Sequence, residues 1–186
     1  MRVLGIDLSL TATGIAIITA DTSHPWEIRN RTPKIEVHTI ASTGRSDATL
    51  PQRRTRLQNI GDAVIAAAYG ADIAVIESPS LGQARQGGQL DRNGLWWLVA
   101  DRLIDCGIPV ATVTPAGRAK YATGKGNAGK SDVLLAVDRR YPAANIADDN
   151  QADALVLAAM GCRHLGWPID DMPKAHVEAM AAVVWP

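Results

Sequence analysis

Apolar positions along the chain fall into short blocks of two kinds, and their order predicts a sheet covered by helices. Residues 3–8 and 14–19 are nearly continuous apolar segments joined by a Ser/Thr-rich turn, which indicates a hairpin of buried strands. Residues 34–41 alternate between polar and apolar, as a half-exposed strand does. Two further apolar segments, 73–76 and 109–113, bring the predicted strands to five.

Helical spacing appears between and after these strands. Apolar residues of the segment 51–69 recur at positions 57, 60, 64, 65 and 68, and Gly70 is placed to end the helix. The other predicted helices span residues 92–106, 115–122, 131–141 and 149–162. Beyond Trp167 the sequence has no clear period, so we expect a loose tail with at most one short helix.

This order of elements predicts an α/β fold of three layers, because three strands are followed by alternating helices and strands. The sheet is expected to be mixed, with an antiparallel hairpin side and a parallel side built from strand–helix–strand units. A length of 186 residues suits one domain, which we place at residues 1–165, followed by a C-terminal tail at 166–186.

Composition and the first residues exclude several classes of protein. The chain has 47% hydrophobic and 20% charged residues, as globular proteins do. Cys106 and Cys162 show no CxxC spacing, so neither a zinc site nor a disulfide framework is indicated. Asp7 interrupts the first apolar segment too early for a signal peptide or a bilayer span. We therefore expect a soluble, cytoplasmic protein with no membrane partner.

Charge is unevenly distributed, although the formal net charge is +0. A neutral total argues against a uniformly basic surface of the kind that binds nucleic acid. However, residues 40–130 hold eleven basic and seven acidic side chains, whereas residues 131–186 hold four basic and eight acidic ones. The chain is therefore basic in its middle and acidic at its end.

Four acidic side chains are candidates for a metal site. Asp7 lies in the first apolar strand and Glu77 ends the fourth, at the carboxyl edge where α/β proteins usually bind ligands. A lone carboxylate in an apolar strand is costly to desolvate, so Asp7 needs a partner or a metal ion. Asp149 and Asp153 share one face of the last helix, where their like charges repel. A divalent cation would reverse that repulsion, and such carboxylates suit Mg²⁺ or Mn²⁺.

The residue before that helix has a different expected role. Asp148 and Gln151 match the N-cap and N3 positions of a capping box. Asp148 also points about 140° away from Asp153 around the helix axis. We therefore expect Asp148 to be structural.

A glycine-rich sequence between two short helices matches the P-loop pattern at every position. Residues 124–131 read GKGNAGKS, and the pattern alone would indicate ATP or GTP. A P-loop must leave a buried strand and open directly into a helix, but residues 115–123 intervene with helical, polar content. We therefore expect no nucleotide cofactor. Contacts with DNA backbone phosphates explain the basic residues of this region better. These residues are Arg118, Lys120, Lys125 and Lys130.

An ordered set of four segments carries a family resemblance. They read GIDLSLTATGIA, IES, PAGRAKYATGKGNAGKSDV and DDNQADALVLA. In this order and spacing they resemble the RuvC-type Holliday junction resolvases of the RNase H-like superfamily, over about residues 2–163. The resemblance implies an RNase H-like fold and a site where acids of the first strand, the fourth strand and the last helix bind two divalent metal ions. By position these acids are Asp7, Glu77, Asp153 and one partner of Asp153.

The chain departs from the family pattern at that partner. The family often places it three residues before the last aspartate, where this chain has Asn150. The nearest carboxylate is one position earlier, at Asp149. An amide oxygen can bind a metal ion but carries no charge, so Asp149 is favoured and Asn150 is kept as the alternative. The resemblance also implies that Lys120 and Lys130 contact DNA near the scissile phosphate.

The expected function is that of a homodimeric endonuclease, dependent on two Mg²⁺ or Mn²⁺ ions per site, that nicks branched DNA and four-way junctions first. A two-fold dimer suits symmetric cuts on opposed strands. Trp96 and Trp97 point about 100° apart on their helix, so one should pack inside and the other should mark a dimer contact. Arg85 lies in the glycine-rich segment 81–88, which is either a DNA-contacting loop or an ordinary connector.

The sequence leaves two alternative functions to be considered. GIDLSLTATG also resembles the phosphate-binding hairpin of actin-like phosphotransferases and ATPases. Those proteins need a second domain of similar size, for which 186 residues leave no room. A non-catalytic protein that binds branched DNA is the other alternative, which the four intact acids disfavour.

Overall fold

A mixed five-stranded sheet forms the centre of the computed structural model, which describes residues 1–21, 32–79 and 88–186. The sheet order is β3-β2-β1-β4-β5. The first two pairings, β3 with β2 and β2 with β1, are antiparallel, and β1 with β4 and β4 with β5 are parallel. The strands span β1 Arg2–Asp7, β2 Ala12–Thr19, β3 Lys34–Ala41, β4 Ile73–Glu77 and β5 Val110–Val113. The predicted mixed sheet, with its hairpin side and its parallel side, is confirmed.

Helices cover both faces of this sheet. One face packs on α1 and α2, and the other packs on α3, α4 and α5. The helices span α1 Leu50–Ala67, α2 Gln89–Asp105, α3 Pro115–Thr123, α4 Lys130–Arg140, α5 Asp149–His164 and α6 Lys174–Val177. Alternate strand residues enter the two apolar clusters, with Leu4 and Ile6 on the α1–α2 side and Val3 on the other. This is the three-layer arrangement that the hydrophobic pattern predicts.

Helix α5 lies unusually close to the two central strands, because glycines face it. A Cβ atom on Gly5 would lie 2.0 Å from the carbonyl oxygen of Ala154, and one on Gly14 would lie 2.0 Å from that of Asn150. Both obstacles are backbone atoms, which no side-chain rotation can move. The absence of side chains at these two strand positions therefore lets the start of α5 approach the end of β1.

The tail is packed, so the expectation of a loose segment is wrong. It contains α6 and a 3₁₀ helix, Glu178–Ala182, in which Ala179 is buried. Asp170 anchors the tail by accepting a hydrogen bond from Arg163 at 2.6 Å. It also accepts hydrogen bonds from the hydroxyl groups of Tyr121 on α3 and of Tyr141 at the end of α4. These contacts join residues distant in sequence, so local periodicity gives no sign of them.

Three further points concern the extent of the elements. Helix α2 begins at Gln89, three residues before the predicted start. No helix in the described part of the chain is long and apolar enough to cross a membrane. Residues 22–31 lie outside the described residues, and so do residues 80–87 with Arg85.

Candidate active site

Acidic side chains meet at the carboxyl edge of the sheet. Asp7 is the last residue of β1 and Glu77 the last of β4. Because these neighbouring strands are parallel, both side chains emerge at the same edge. Asp153, on the second turn of α5, is only 3% exposed. The three acids line one pocket of about 240 Å³.

Hydrogen bonds at the start of α5 fix the position of Asp153. The carboxylate of Asp148 accepts from the backbone N–H of Gln151 at 2.8 Å and from the hydroxyl of Thr39 at 2.7 Å. The Gln151 side chain accepts from the N–H of Ala147 and donates to Thr39, each at 3.0 Å. The structural role predicted for Asp148 is confirmed. The cap also ties α5 to β3, which sets the rotation of the helix over the sheet.

Negative charge accumulates in the pocket. Burial first, and then the charges of Glu77 and Asp153, together raise the pKa of Asp7 from 3.8 to about 7, against the opposing charges of Arg118 and Lys130. Burial likewise raises the pKa of Asp153 to about 7, against the opposing charges of Arg118 and Lys130. Burial and mutual repulsion thus make these carboxylates costly to ionise, and a cation bound between them would lower that cost.

Arg118 belongs to this acidic cluster. Its guanidinium donates from Nε to Glu77 and from Nη1 to Asp153, and the residue is only 8% exposed. The expectation that Arg118 lies in a DNA-binding loop is therefore corrected: it lies on the buried face of α3, where two carboxylates already occupy its donors. Its contacts hold an acid of β4 and an acid of α5 together.

The two candidates for the fourth ligand occupy different positions. Asn150 lines the pocket with Asp7, Glu77 and Asp153. Asp149 forms an ion pair with Lys130 at 2.5 Å, and this hydrogen bond lowers the pKa of its carboxyl. Asp149, which the sequence favours, is thus paired with a lysine that lines the pocket, whereas Asn150, the alternative, lines the pocket itself.

A divalent cation fits the chemistry of this pocket. The available donors are hard carboxylate oxygens, and the raised pKa values of Asp7 and Asp153 reflect burial first and repulsion between carboxylates second. In the described ranges, however, no three His, Cys, Asp or Glu side chains are grouped around one point. Arg118 and Lys130 occupy carboxylate oxygens that a metal ion would use. Metal binding would therefore exchange part of these ion pairs for metal–oxygen bonds.

Of the predicted DNA-contacting lysines, Lys130 lines the pocket, whereas Lys120 and Lys125 do not. Lys120 pairs with Glu178 of the tail at 3.4 Å, Lys125 is exposed, and Lys130 pairs with Asp149. The glycine-rich loop that follows α3 joins helix to helix, since α3 ends at Thr123 with Gly124 as its C-cap and α4 begins at Lys130. This is the context predicted from the sequence, and it differs from the strand-to-helix context of a P-loop.

Helix α2 contributes pocket residues that sequence reasoning did not identify. Arg92, Asn93 and Trp96 line the pocket, and the indole Nε1–H of Trp96 donates to the carbonyl of Glu77 at 2.9 Å. Trp97 is 67% exposed. Trp96 is partly buried against the α1–α2 cluster, as predicted for one of the two tryptophans, and the dimer contact predicted for the other stays a prediction. The i, i+4 spacing of Arg92 and Trp96 is the signal that would have placed both on one helix face.

Curated proteins similar to this chain are named crossover junction endodeoxyribonuclease RuvC. The one from Paracidovorax citrulli (strain AAC00-1) is 33% identical over 162 residues. The one from Delftia acidovorans (strain DSM 14801 / SPH-1) is 32% identical over 168 residues. Each comparison covers 85% of this chain and 82% of the relative. No protein-family model matches the chain.

Solved structures with a similar fold include RuvC from Thermus thermophilus, with a TM-score of 0.65 at 18% identity, covering 90% of this chain and 98% of that one. A structure of T. thermophilus RuvC in complex with a Holliday junction substrate gives a TM-score of 0.62 at 17% identity, covering 89% of this chain and 97% of that one. The similarity of fold thus extends over nearly the whole chain.

Proposed function

Because the chain belongs to the RuvC family of crossover junction endodeoxyribonucleases, we propose that it is a metal-dependent nuclease that nicks four-way DNA junctions. The observation that carries the proposal is the convergence of Asp7, Glu77 and Asp153 in one pocket. Three elements supply these acids, and each of them is fixed by strand pairing or by a helix cap. Such a carboxylate-lined pocket at a sheet edge suits phosphodiester hydrolysis.

Each acid has an assigned role in this proposal. Asp7, Glu77 and Asp153 would hold two Mg²⁺ or Mn²⁺ ions together with Asp149, or with Asn150 in its place. When bound, such ions supply an activated water and stabilise the leaving oxygen. Arg118 acts as a positioning residue, since its contacts keep Glu77 and Asp153 at a fixed separation before metal and DNA arrive.

DNA is proposed to reach the pocket past Lys120, Lys125 and Lys130, of which Lys130 lines the pocket. Two of these lysines pair with exposed or half-buried carboxylates, and exposed ion pairs are worth only about 0–1 kcal/mol. A DNA phosphate would therefore replace Glu178 or Asp149 at little cost. Arg85 is retained as a proposed contact with the junction.

A homodimer is the proposed assembly, and helix α2 offers a surface for it. Leu90, Trp97 and Ile104 recur every seven residues along α2 and are 76%, 67% and 62% exposed. Large apolar side chains aligned on one helix face are typical of protein interfaces. Two copies related by a two-fold axis would repeat one active site on opposed strands of the junction.

A nicking assay on synthetic four-way junctions tests the proposed function. We expect symmetric nicks in Mg²⁺ or Mn²⁺, none in EDTA, and little cutting of linear duplex of the same sequence. Equal cutting of the linear duplex would contradict junction selectivity. Cutting that persists in EDTA would contradict metal dependence.

A further inference from the structure

We infer that Arg92 forms a binding subsite for a DNA backbone phosphate on the α2 wall of the pocket. The inference rests on the proposed function, because it assigns a substrate group to the same pocket. Three cations line this pocket: Arg92, Arg118 and Lys130. Two of them are neutralised by carboxylates, since Arg118 contacts Glu77 and Asp153 and Lys130 contacts Asp149.

Arg92 differs from the other two cations in its partners. Its side chain has no hydrogen-bond or ion-pair partner within the described ranges, and its Nη1 atom is shielded from solvent without an acceptor. A shielded donor that lacks an acceptor is costly, and the cost is greater for a charged group. Arg92 therefore offers an unused positive charge to a ligand that enters the pocket.

The backbone that carries Arg92 is held on both sides. One residue earlier, Asp91 accepts two hydrogen bonds from the guanidinium of Arg53 on α1, at 2.9 and 2.5 Å. One turn later, Trp96 donates to the carbonyl of Glu77. Because residues four apart share a helix face, the anchor at Trp96 also turns Arg92 toward the pocket. The first turns of α2 thus present the guanidinium in a preset place.

Electrostatics identify the ligand as a phosphate. Asp7, Glu77 and Asp153 repel any anion that approaches them, so a phosphodiester needs an unpaired cation nearby to bind before the reaction. A guanidinium matches phosphate oxygens with two parallel N–H donors, which an ammonium group cannot do. Arg92 is therefore placed to hold a DNA strand against the acids.

Junction binding in EDTA, measured by fluorescence anisotropy, tests this subsite without cleavage. We compare wild type with Arg92→Ala, Arg92→Lys and the control Arg102→Ala, which removes an equal charge from the same helix outside the pocket. Arg102 pairs with Asp62 on α1. We expect Arg92→Ala to weaken binding about tenfold and to reduce the magnitude of the salt slope by about one. Arg92→Lys should recover part of the affinity, and Arg102→Ala should bind as wild type does.

Single neutral methylphosphonates in the junction then locate the contact. One substitution near the branch should weaken wild type while leaving Arg92→Ala unaffected. The subsite is overturned if Arg92→Ala binds like wild type, or if every methylphosphonate affects both proteins equally. It is also overturned if Arg92→Ala lowers the melting temperature and Arg92→Lys restores that temperature without restoring affinity, because Arg92 is then structural.

The two proposals fail in different ways. If wild type binds junctions through Arg92 but does not nick them in Mg²⁺, the proposed function fails and the subsite stands. If wild type nicks junctions and Arg92→Ala binds them normally, the subsite fails and the function stands. If wild type binds no DNA, both are overturned.

Discussion

The side chains of the pocket differ in how readily their positions could be predicted from the sequence. Asp7 and Glu77 lie in or at the end of apolar segments, so both could be predicted as strand residues, and the parallel pairing of β1 with β4 brings them together. Arg118 could not be assigned in the same way, because a basic segment favours solvent exposure. Its neighbours Tyr121 and Ala122, three and four residues later, are buried on the same helix face. That spacing is the sequence signal for an inward-facing arginine.

Asp7→Asn tests the role of the first acid. The substitution keeps the shape of the side chain and removes a charge that would bind metal. We expect nicking to fall at least 1,000-fold, about 4 kcal/mol of transition-state stabilisation, while junction affinity stays within a few fold. Single-turnover cleavage in Mg²⁺ and anisotropy in EDTA measure the two quantities. Near-normal turnover would remove Asp7 from the metal site.

Stability in EDTA should fall as the pH rises from about 4 to about 7. Burial and neighbouring charges raise the folded-state pKa of Asp7 and of Asp153 to about 7, from an ordinary 3.8. Between these values the folded chain holds protons that the unfolded chain has released, so raising the pH favours unfolding. Urea unfolding at several pH values measures this slope. The loss of stability over this pH range should be smaller in Asp7→Asn, by on the order of 4 kcal/mol for a pKa raised from 3.8 to about 7.

Comparing wild type with Asp7→Asn isolates the contribution of Asp7 to the pH dependence of stability. Ionisable groups that do not interact with Asp7 are the same in wild type and in Asp7→Asn, so their contributions cancel in the difference between the two proteins. Identical slopes in the two proteins would show that Asp7 titrates normally in the folded chain.

The fourth ligand is tested by Asp149→Ala and Asn150→Ala, with Asp153→Ala as the inactive reference. Helical geometry allows either residue, at about +40° or −60° from Asp153. The sequence argument favours Asp149, because only a carboxylate offsets metal charge. We therefore expect Asp149→Ala to be as inactive as Asp153→Ala in single-turnover cleavage. If Asn150→Ala is the inactive variant instead, the family position holds and Asn150 is the ligand.

Whole elements were predicted well where local signals define them, and poorly where distant contacts do. The start of α5 carries its own N-cap, so its position followed from Asp148 and Gln151. The tail instead depends on Asp170, whose partners lie up to 49 residues away. Such contacts appear only when the fold brings α3, α5 and the tail together.

Gly14→Ala tests whether the close approach of α5 to the sheet positions the site. The new Cβ would lie 2.0 Å from the carbonyl oxygen of Asn150, so α5 must move away from β2. We expect a loss of roughly 2–4 kcal/mol of stability and about 100-fold of cleavage, since a shift of about 1 Å is enough for such a loss. Thermal unfolding and single-turnover nicking are the measurements.

Gly94→Ala is the matched control for backbone crowding. Gly94 lies inside helix α2, and a Cβ atom on it would make an ordinary contact at 3.7 Å with the side chain of Leu57 on α1. Alanine is favoured over glycine within a helix by roughly 0.5–1 kcal/mol, so this variant should be slightly more stable. If Gly14→Ala unfolds like Gly94→Ala, the close packing of α5 is not required.

At the scale of the molecule, the mixed sheet and the layer arrangement followed from the hydrophobic pattern because each element buries its own apolar face, whereas the strand order comes from the structure. The surface through which two copies would associate is harder to predict from the sequence. Leu90, Trp97 and Ile104 are spaced as part of an amphipathic helix, and the pattern cannot tell which face meets the sheet and which meets a second copy. The structure separates the two faces, because these three side chains are exposed.

Trp97→Glu tests the proposed dimer through this surface. A charge at the centre of an apolar helix face should separate the copies, while leaving monomer stability nearly unchanged because Trp97 is already exposed. Tyr69→Glu is the control, since Tyr69 is 87% exposed beyond the end of α1 and outside the α2 face. We expect sedimentation to show a dimer for wild type and for Tyr69→Glu, and a monomer for Trp97→Glu. A wild-type monomer, or a Trp97→Glu dimer, would contradict this interface.

Cleavage of a cruciform on a supercoiled plasmid connects this interface with function. The cruciform is lost once the first nick relaxes the plasmid, so only two linked active sites can cut both opposed strands before release. Wild type and Tyr69→Glu should therefore give linear product, and Trp97→Glu should give nicked circles. Linear product from the monomeric variant would show that paired cutting does not depend on this surface.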